Sequence, residues 1–314
     1  MRWGIVATIK APARDILNFA AHYLEIGADH LYIYLDDDNE SAQSRLGQHP
    51  RVSVIRTDKA YWTKDGKHRP AKHQVRQGRN ATHAYARASQ HLDWLLHVDV
   101  DEFLWPHRPV GDLLAALPDT VQTARVRPIE ALAPPDNATP TDVTFFKGFI
   151  PAQGQRQQIS QSLFPTFGLY IKGGFLSHIQ GKIFVRTGLP DVTIRIHNAF
   201  QNGEELPQKA ELADIDLCHV HVKDWETWLD QYRYRHNRGS YRSDLRAAVP
   251  SHKGGMTIHD LFATLEKSDG KAGLRAFYDE VCVASPDLLK ALEKRDLLRA
   301  YRLELDTKRQ RQFP

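Results

Sequence analysis

Trp3–Ile9 (WGIVATI) is an apolar run of strand length, stopped by Pro12, and it opens the order of elements that most constrains this chain. Ile16, Phe19, Ala20, Tyr23 and Leu24 follow at helical spacing, and Gly27 stands where a helix C-cap belongs. Leu31–Leu35 (LYIYL) then reads as a second strand running into Asp36, Asp37 and Asp38. Strand, helix and strand this close together make a βαβ unit. The pattern repeats with a strand at Val52–Ile55, a helix over 71–89, a strand from Asp93 to Val98, a short helix at Val110–Leu117 and a fifth strand at Thr123–Val126. Such alternation predicts an α/β fold with a mostly parallel sheet, helices on both faces, and ligands at the carboxyl ends of the strands.

After Pro128 the regularity fails. Residues 129–180 are proline-rich with scattered short strands, which predicts functional loops rather than a second core. Strand patterns return at Lys182–Arg186, Val192–Ile196 and Leu217–Val222, and four helical segments follow at 224–238, 257–266, 271–281 and 286–303. The expected organisation is a ligand-binding catalytic domain over 1–223 with a helical C-terminal extension over 224–314. The longest apolar run, Leu31–Leu35, is far below the roughly 18 residues a membrane-spanning helix requires. Met1–Pro12 lacks the apolar stretch of a secretory leader, and two cysteines, Cys218 and Cys282, make no disulfide framework. A cytoplasmic location is the expectation.

The sharpest chemical signal closes the fourth strand, where His97 and Val98 lead into Asp99, Val100, Asp101, Glu102, Phe103 and Leu104. Side chains alternate in an extended chain, so Asp99 and Asp101 are predicted to point to one side and reach one cation. Hard carboxylate ligands with open positions suit magnesium or manganese bridging to a diphosphate. An acidic loop end that only caps the next helix would use the same residues; the position after an apolar strand favours the metal. Farther along, His219 and His221 of Cys218–Lys223 (CHVHVK) share a face by the same alternation. One of them can complete the metal shell or bond a phosphate oxygen, with packing as the competing use. The compact Cys/His set of a structural zinc site is missing from the sequence.

Asp36–Asp38 and Thr8 lie at strand ends where they can accept or donate hydrogen bonds to a nucleoside, and an Asx turn is the alternative for the aspartates. Lys72, Arg76 and Arg79 share a helix face by spacing; Arg79 is the candidate phosphate contact, and a solvated face is the default for such residues. Residues 1–222 are charge-balanced, so the whole net charge of +4 belongs to 223–314. Between Tyr232 and Arg246 five arginines face a single Asp244, a run suited to a diphosphate, an acidic glycan or the headgroups of an anionic membrane. Its aromatic residues are too sparse for a nucleic-acid platform. Lys308–Arg311 reads as a frayed basic tail.

Taken in order, HYLEIGAD (22–29), LYIYLDDD (31–38), DWLLHVDVDEFL (93–104), GKIFVR (181–186), IHN (196–198) and CHVHVK (218–223) resemble the glycosyltransferase family 2-like and family 92-like enzymes. The resemblance covers roughly residues 1–240, and the W-x-x-x-V-D-V-D-E-F-L string is its specific part. It implies a GT-A-like (Rossmann-like) fold and transfer of a sugar from a nucleotide diphosphate donor, usually a UDP-sugar, to a hydroxyl of a glycan or other acceptor. Bacterial-type surface polysaccharide synthesis is the setting it suggests, with Mn2+ or Mg2+ as cofactor. By the same resemblance Asp99 and Asp101 bind the metal and donor diphosphate, and Asp36 or Asp37 holds the nucleoside. Glu102, Lys182, His197 and His221 also fall on motif positions, Lys182 and His197 as candidate donor contacts and His221 as a candidate metal ligand. Relatives often show Asn-Glu after the first lysine, where this chain has Ala11–Asp15 (APARD).

An inverting transfer also needs a carboxylate to deprotonate the acceptor, and Glu130 and Asp224, each just beyond a predicted strand, are the candidates. Two other function classes compete. A sugar-phosphate nucleotidyltransferase needs a glycine-rich phosphate loop after its first strand, and Lys10–Asp15 contains no glycine. A non-catalytic carbohydrate- or anion-binding protein would use the acidic pair structurally.

Overall fold

The computed structural model describes residues 1–64, 68–139, 141–207 and 209–314. In chain order it begins β1 (Trp3–Ile9), α1 (Ala13–Glu25), β2 (His30–Leu35), α2 (Glu40–Gly47), β3 (Val52–Arg56), α3 (Lys59–Thr63) and α4 (His73–Ala88). Next come β4 (Trp94–His97), β5 (Glu102–Pro106), α5 (Val110–Ala115), β6 (Thr123–Ala131), β7 (Thr144–Lys147), α6 (Arg156–Leu163) and β8 (Lys182–Arg186). The chain continues with β9 (Val192–Ile194), β10 (Ala199–Gln201), β11 (Glu204–Glu205) and β12 (Lys209–His219). It ends α7 (Trp225–Arg238), α8 (Ile258–Cys282), α9 (Pro286–Glu293), β13 (Leu298–Tyr301) and α10 (Leu305–Gln312).

Two compact units result, each discontinuous in sequence: one holds 1–127, 180–217 and 304–314, the other 128–179 and 218–303. The sequence pattern suggests a single cut after residue 223, because it cannot show which distant segments share a core.

In the first unit β1 is buried along its whole length between two parallel neighbours, β2 and β4, and β3 lies parallel on the far side of β2. Burial on both faces explains why WGIVATI and LYIYL read as near-continuous apolar runs. The parallel order ends at β4. There β8 adds antiparallel, and the first residues of β6 add antiparallel to β8, so the α/β sheet is mixed. Ala81, Ala84, Tyr85 and Ala88 of α4 pack on Val6, Tyr32, Tyr34 and Leu95. Alternation sends Ile5, Ala7 and Ile33 to the other face, and all three are buried.

The basic C-terminal residues are not a frayed tail: they form α10, which returns to α1. Asp306 pairs with Arg14 and accepts from Asn18 at 3.2 Å, while Glu25 takes Arg311 at 3.0 Å and Gln312 at 2.7 Å. Beyond the helix Phe313 is buried, and Arg45 donates to its carbonyl.

The second unit has its own core, which corrects the loop reading of 129–180. Phe164, Phe167, Ile171 and Leu176 belong to one cluster with Trp228, Phe262 and Phe277 of α7 and α8. Prolines hide the periodicity of this stretch, and its apolar partners come from helices far along the chain. The segments predicted at 257–266 and 271–281 are halves of α8, broken at Gly270 (φ 57, ψ −136). The segment predicted as helix over 286–303 stops at Glu293; Asp296 is left-handed (φ 55), and Leu298–Tyr301 become β13, antiparallel to β7.

The α10 contacts rank in a testable way. Exposed ion pairs contribute about 0–1 kcal/mol, whereas removing a buried phenylalanine costs about 3–5 kcal/mol. Urea denaturation is expected to show Phe313→Ala losing at least twice the stability lost by Asp306→Ala.

Candidate functional site

Carboxyl ends of β2, β1 and β4 lie side by side, with the amide of Asp36 bonded to the carbonyl of Ile9 and that of Val98 to Val6. The strand order β3-β2-β1-β4 reverses between β1 and β4, and such a switch point is where open α/β sheets bind ligands. At the end of β4 the strand does not continue. The amide of Glu102 donates to the Asp99 carbonyl at 3.0 Å, and the Glu102 carboxylate reaches back to accept the Asp99 amide at 2.9 Å. Asp99–Glu102 is therefore a turn, and the strand alternation expected for Asp99 and Asp101 does not apply to it.

Lys182, the first residue of β8, fixes this turn. Its ammonium has no solvent exposure and lies 2.6 Å from Asp99 and 3.1 Å from Glu102. Burial alone would lower its pKa, yet the two carboxylates outweigh burial and raise it, so the amine is held charged. Gln77 of α4 donates to the other Asp99 oxygen. Just before Lys182, Gly181 has a left-handed backbone (φ +71), and a Cβ there would stand 2.0 Å from the Val126 carbonyl oxygen, so only glycine fits. His197 Nδ1 donates to the Gly181 carbonyl at 2.8 Å, and Arg125 holds the His197 carbonyl at 3.1 Å and Asn198 at 2.9 Å. The GKIFVR and IHN motifs are thus joined through hydrogen bonds. His97, buried beside this cluster, is pushed down to about 4 by burial and then by the Lys182 charge, so it is neutral at pH 7.

Asp36 is enclosed by the protein. Its buried carboxylate takes Arg69 at 2.9 Å, Arg76 at 2.9 Å and His73 at 3.3 Å. Burial pushes its pKa up, but the bonds from His73, Arg76 and Arg69 outweigh this and hold it well below the usual carboxylate range. Asp37, by contrast, is half-buried, its pKa is raised mainly by burial, and its Oδ1 has no hydrogen-bond partner among the described residues. Thr8 is buried and its hydroxyl accepts from Asn80 at 3.0 Å, while Asn80 accepts from Tyr61. Arg79 is exposed on α4. Sequence reasoning missed Gln77 and Asn80; the available signal is that they share the helical stripe of Ala81, Ala84 and Ala88, which faces the sheet.

The remaining candidates lie in the second unit. Glu130 is buried, 2.7 Å from Lys147, and accepts the amides of Leu176 at 2.9 Å and Ser177 at 2.6 Å. Burial raises its pKa, but Lys147 and these donors win and lower it, which is the wrong direction for a general base at neutral pH. Asp224 is the exposed N-cap of α7, accepting the amide of Thr227 at 2.7 Å and its hydroxyl at 2.9 Å. His221 is buried with Nε2 3.0 Å from the Tyr241 hydroxyl, which also accepts from Trp228 at 3.1 Å. The His178, His219 and His221 rings follow one another at 5.3 and 5.2 Å. Of the five arginines between 232 and 246, Arg233 pairs with Glu266, Arg235 donates to the His221 carbonyl, and Arg242 pairs with Asp244.

Residues 6–244 match the family model of glycosyltransferase family 92. The chain belongs to that family. A comparison with curated proteins finds no match. Among solved structures, the family 92 chain is distantly similar to HddC from Yersinia pseudotuberculosis, at 9% identity over 44% of this chain and 65% of that one, TM-score 0.27. It spans less than two thirds of HddC. A mycobacterial protein matches at 14% identity over 81% and 82% of the two chains, TM-score 0.37. Glucosyl-3-phosphoglycerate synthase from Mycobacterium tuberculosis, in complex with phosphoglyceric acid, matches at 12% identity over 91% and 81%, TM-score 0.35. Family membership rests on the sequence match.

A divalent cation fits the donor set of the family 92 turn. Asp99 is 30% exposed at its side chain and Asp101 half-buried, and their carboxylates are hard oxygen donors of the kind magnesium and manganese take. Lys182 pairs with Asp99 and Glu102 of this turn, and Asp101 adds a third carboxylate to the acidic set. Among the described residues, no helix is long and apolar enough to cross a membrane.

The ion pair of Glu130 carries a pH prediction. Its folded pKa is depressed, so its stabilisation is present above the unfolded carboxyl value of about 4.3 and is lost as pH falls through the folded value. Lys147→Met leaves the carboxylate buried and unpaired and is expected to cost about 3–5 kcal/mol at pH 7. Chemical denaturation of Lys147→Met and Glu130→Gln at pH 7 and pH 4 checks this: the loss in Lys147→Met should shrink on acidification, as its carboxyl protonates.

Proposed function

We propose that this family 92 chain transfers a sugar from a nucleotide diphosphate donor, with a UDP-sugar as the first choice, to a hydroxyl of a glycan or related acceptor. The observation that carries this reading is the acidic turn at the carboxyl end of β4, where Lys182 and Gln77 hold Asp99 and a second acid, Asp101, stands two residues on. Asp99 and Asp101 would hold the divalent ion. When bound, Mn2+ or Mg2+ would neutralise the charge that develops on the departing nucleoside diphosphate. The protein's part is to set the carboxylates in place before the donor arrives, which removes reorganisation from the reaction step.

For the nucleoside, Asp37 is the better candidate of the two strand-end acids, since Asp36 already carries Arg69, Arg76 and His73. Glu130 and Asp224 have structural partners of their own, so the acceptor base in an inverting reaction would be another group. Contact with an anionic membrane, the remaining partner suggested by the arginine-rich run, would fall to the exposed Arg238 and Arg246. Flotation with anionic vesicles in physiological salt tests it, and failure to float discards it.

The decisive assay is a thermal-shift screen of nucleotide sugars with and without Mn2+, since a ligand that binds only the folded chain raises its melting temperature. A UDP-sugar is expected to shift the melting temperature more with Mn2+ than without. Asp101→Ala should melt close to the wild type and lose Mn2+-dependent transfer by on the order of a hundredfold or more. Undiminished transfer in that variant would remove Asp101 from the metal site, and exchange of pyrophosphate into nucleotide would point to a nucleotidyltransferase instead.

A further inference from the structure

We propose that Lys182 is a positioning residue, the internal cation that presets the Asp99–Glu102 turn, and that it does not touch the donor. The inference rests on reading that turn as the donor and metal site. Its grounds are geometric. The ammonium has no solvent exposure, and it is shared between the first acid of the turn and the last, at 2.6 and 3.1 Å. Glu102, itself fully buried, uses one carboxylate oxygen to accept the Asp99 amide, so Lys182 closes a ring of charge-assisted bonds that includes both ends of the turn. Asp99 alone of the two acids paired with Lys182 keeps partial exposure, so the lysine braces it from the inside while its outer side faces solvent.

Supporting bonds run back from Lys182 into the sheet. Leu96 pairs with Phe184 and Val126 with Lys182, so β8 sets the lysine at the height where β4 gives way to the turn. Gly181, whose carbonyl takes His197, makes the left-handed bend that delivers it. Charge also matters. Without Lys182 the neighbouring carboxylates would repel one another in a partly buried site, and Asp99 and Glu102 would lose the ammonium that bridges them at 2.6 and 3.1 Å.

The test uses the full chain as wild type, Lys182→Arg, Lys182→Met and the double variant Lys182→Met with Glu102→Gln. The double variant removes a buried ion pair without leaving a lone charge at Glu102. Glu102→Gln also retains a side-chain oxygen to accept the Asp99 amide, so the double variant is expected to fold and to melt near the wild type. Hydrogen–deuterium exchange of the segment around 98–103, in protein free of metal and nucleotide, should be faster in the double variant by tenfold or more. Mn2+ affinity, read from the electron paramagnetic resonance signal of the free ion, should weaken roughly tenfold, in the range typical for loss of a group that orients a ligand. Lys182→Arg should restore protection of the turn.

Wild-type exchange and wild-type Mn2+ affinity in the double variant, together with weakened UDP binding, would overturn the proposal and make Lys182 a donor contact. A wild-type chain that binds no Mn2+ would discard the metal reading. The exchange data would then decide the role of Lys182 alone: unprotected in the double variant supports it, unchanged overturns it. Should the double variant fail to fold, exchange in Lys182→Arg decides, with a turn as exposed as in Lys182→Met counting against the proposal.

Discussion

A lysine ammonium without solvent contact, held between two carboxylates, is an expensive thing to place inside a protein. Desolvating the charges offsets most of their attraction, and well-packed apolar residues would serve stability as well or better. The pair of Lys182 with Asp99 and Glu102 is better understood as a means of fixing direction. The surrounding framework is arranged around that point. A fully buried parallel strand, β1, brings β2 and β4 into register on either side, and the first antiparallel strand, β8, begins with the lysine itself. Gly181 and the His197 hydrogen bond leave the backbone before it little freedom.

The second unit contains a counterpart that shows what such a pair does when it has no access to solvent. Glu130 and Lys147 are both buried, and the carboxylate also receives two backbone amides from 176 and 177. Lys147 adds a bond to the Val281 carbonyl at 3.1 Å. Every polar valence named there is directed at the protein, which ties β6, β7, the 176–177 segment and the end of α8 into one core. The acidic turn differs in sharing one lysine between two carboxylates and in leaving Asp99 and Asp101 partly exposed. That difference leaves the acidic turn open to solvent where the Glu130–Lys147 pair is closed to it.

The strands and the position of an acidic pair just after β4 were legible in the sequence because they depend on local pattern. Apolar runs bounded by glycine, proline and aspartate mark β1, β2 and β4, and family membership agrees with the motifs that carried the resemblance. Three things were not legible. The partners of Asp36 lie 33 to 40 residues away on a loop and on α4, and no spacing rule links a strand-end acid to them. The turn at Asp99 depends on Glu102 folding back on the amide of Asp99, which strand alternation does not anticipate. Phe164, Phe167, Ile171 and Leu176 looked like loop residues because their partners arrive from α7 and α8, after another unit's strands have intervened.

The two neighbouring acids at the end of β2 show why position in a motif underdetermines role. Asp36 and Asp37 are adjacent, equally acidic in the free state, and equally suited by sequence to a ribose. Asp36 points where Arg69, His73 and Arg76 converge, and its proton affinity falls because cations surround the charge. At Asp37 burial raises the proton affinity instead, and one oxygen lacks a partner among the described residues. A carboxylate that is saturated by guanidinium groups has little to offer a hydroxyl, because those stronger donors would have to be displaced first. One that is underdonated gains from any hydroxyl that reaches it, so the first aspartate braces the loop while the second keeps an oxygen without a partner among the described residues.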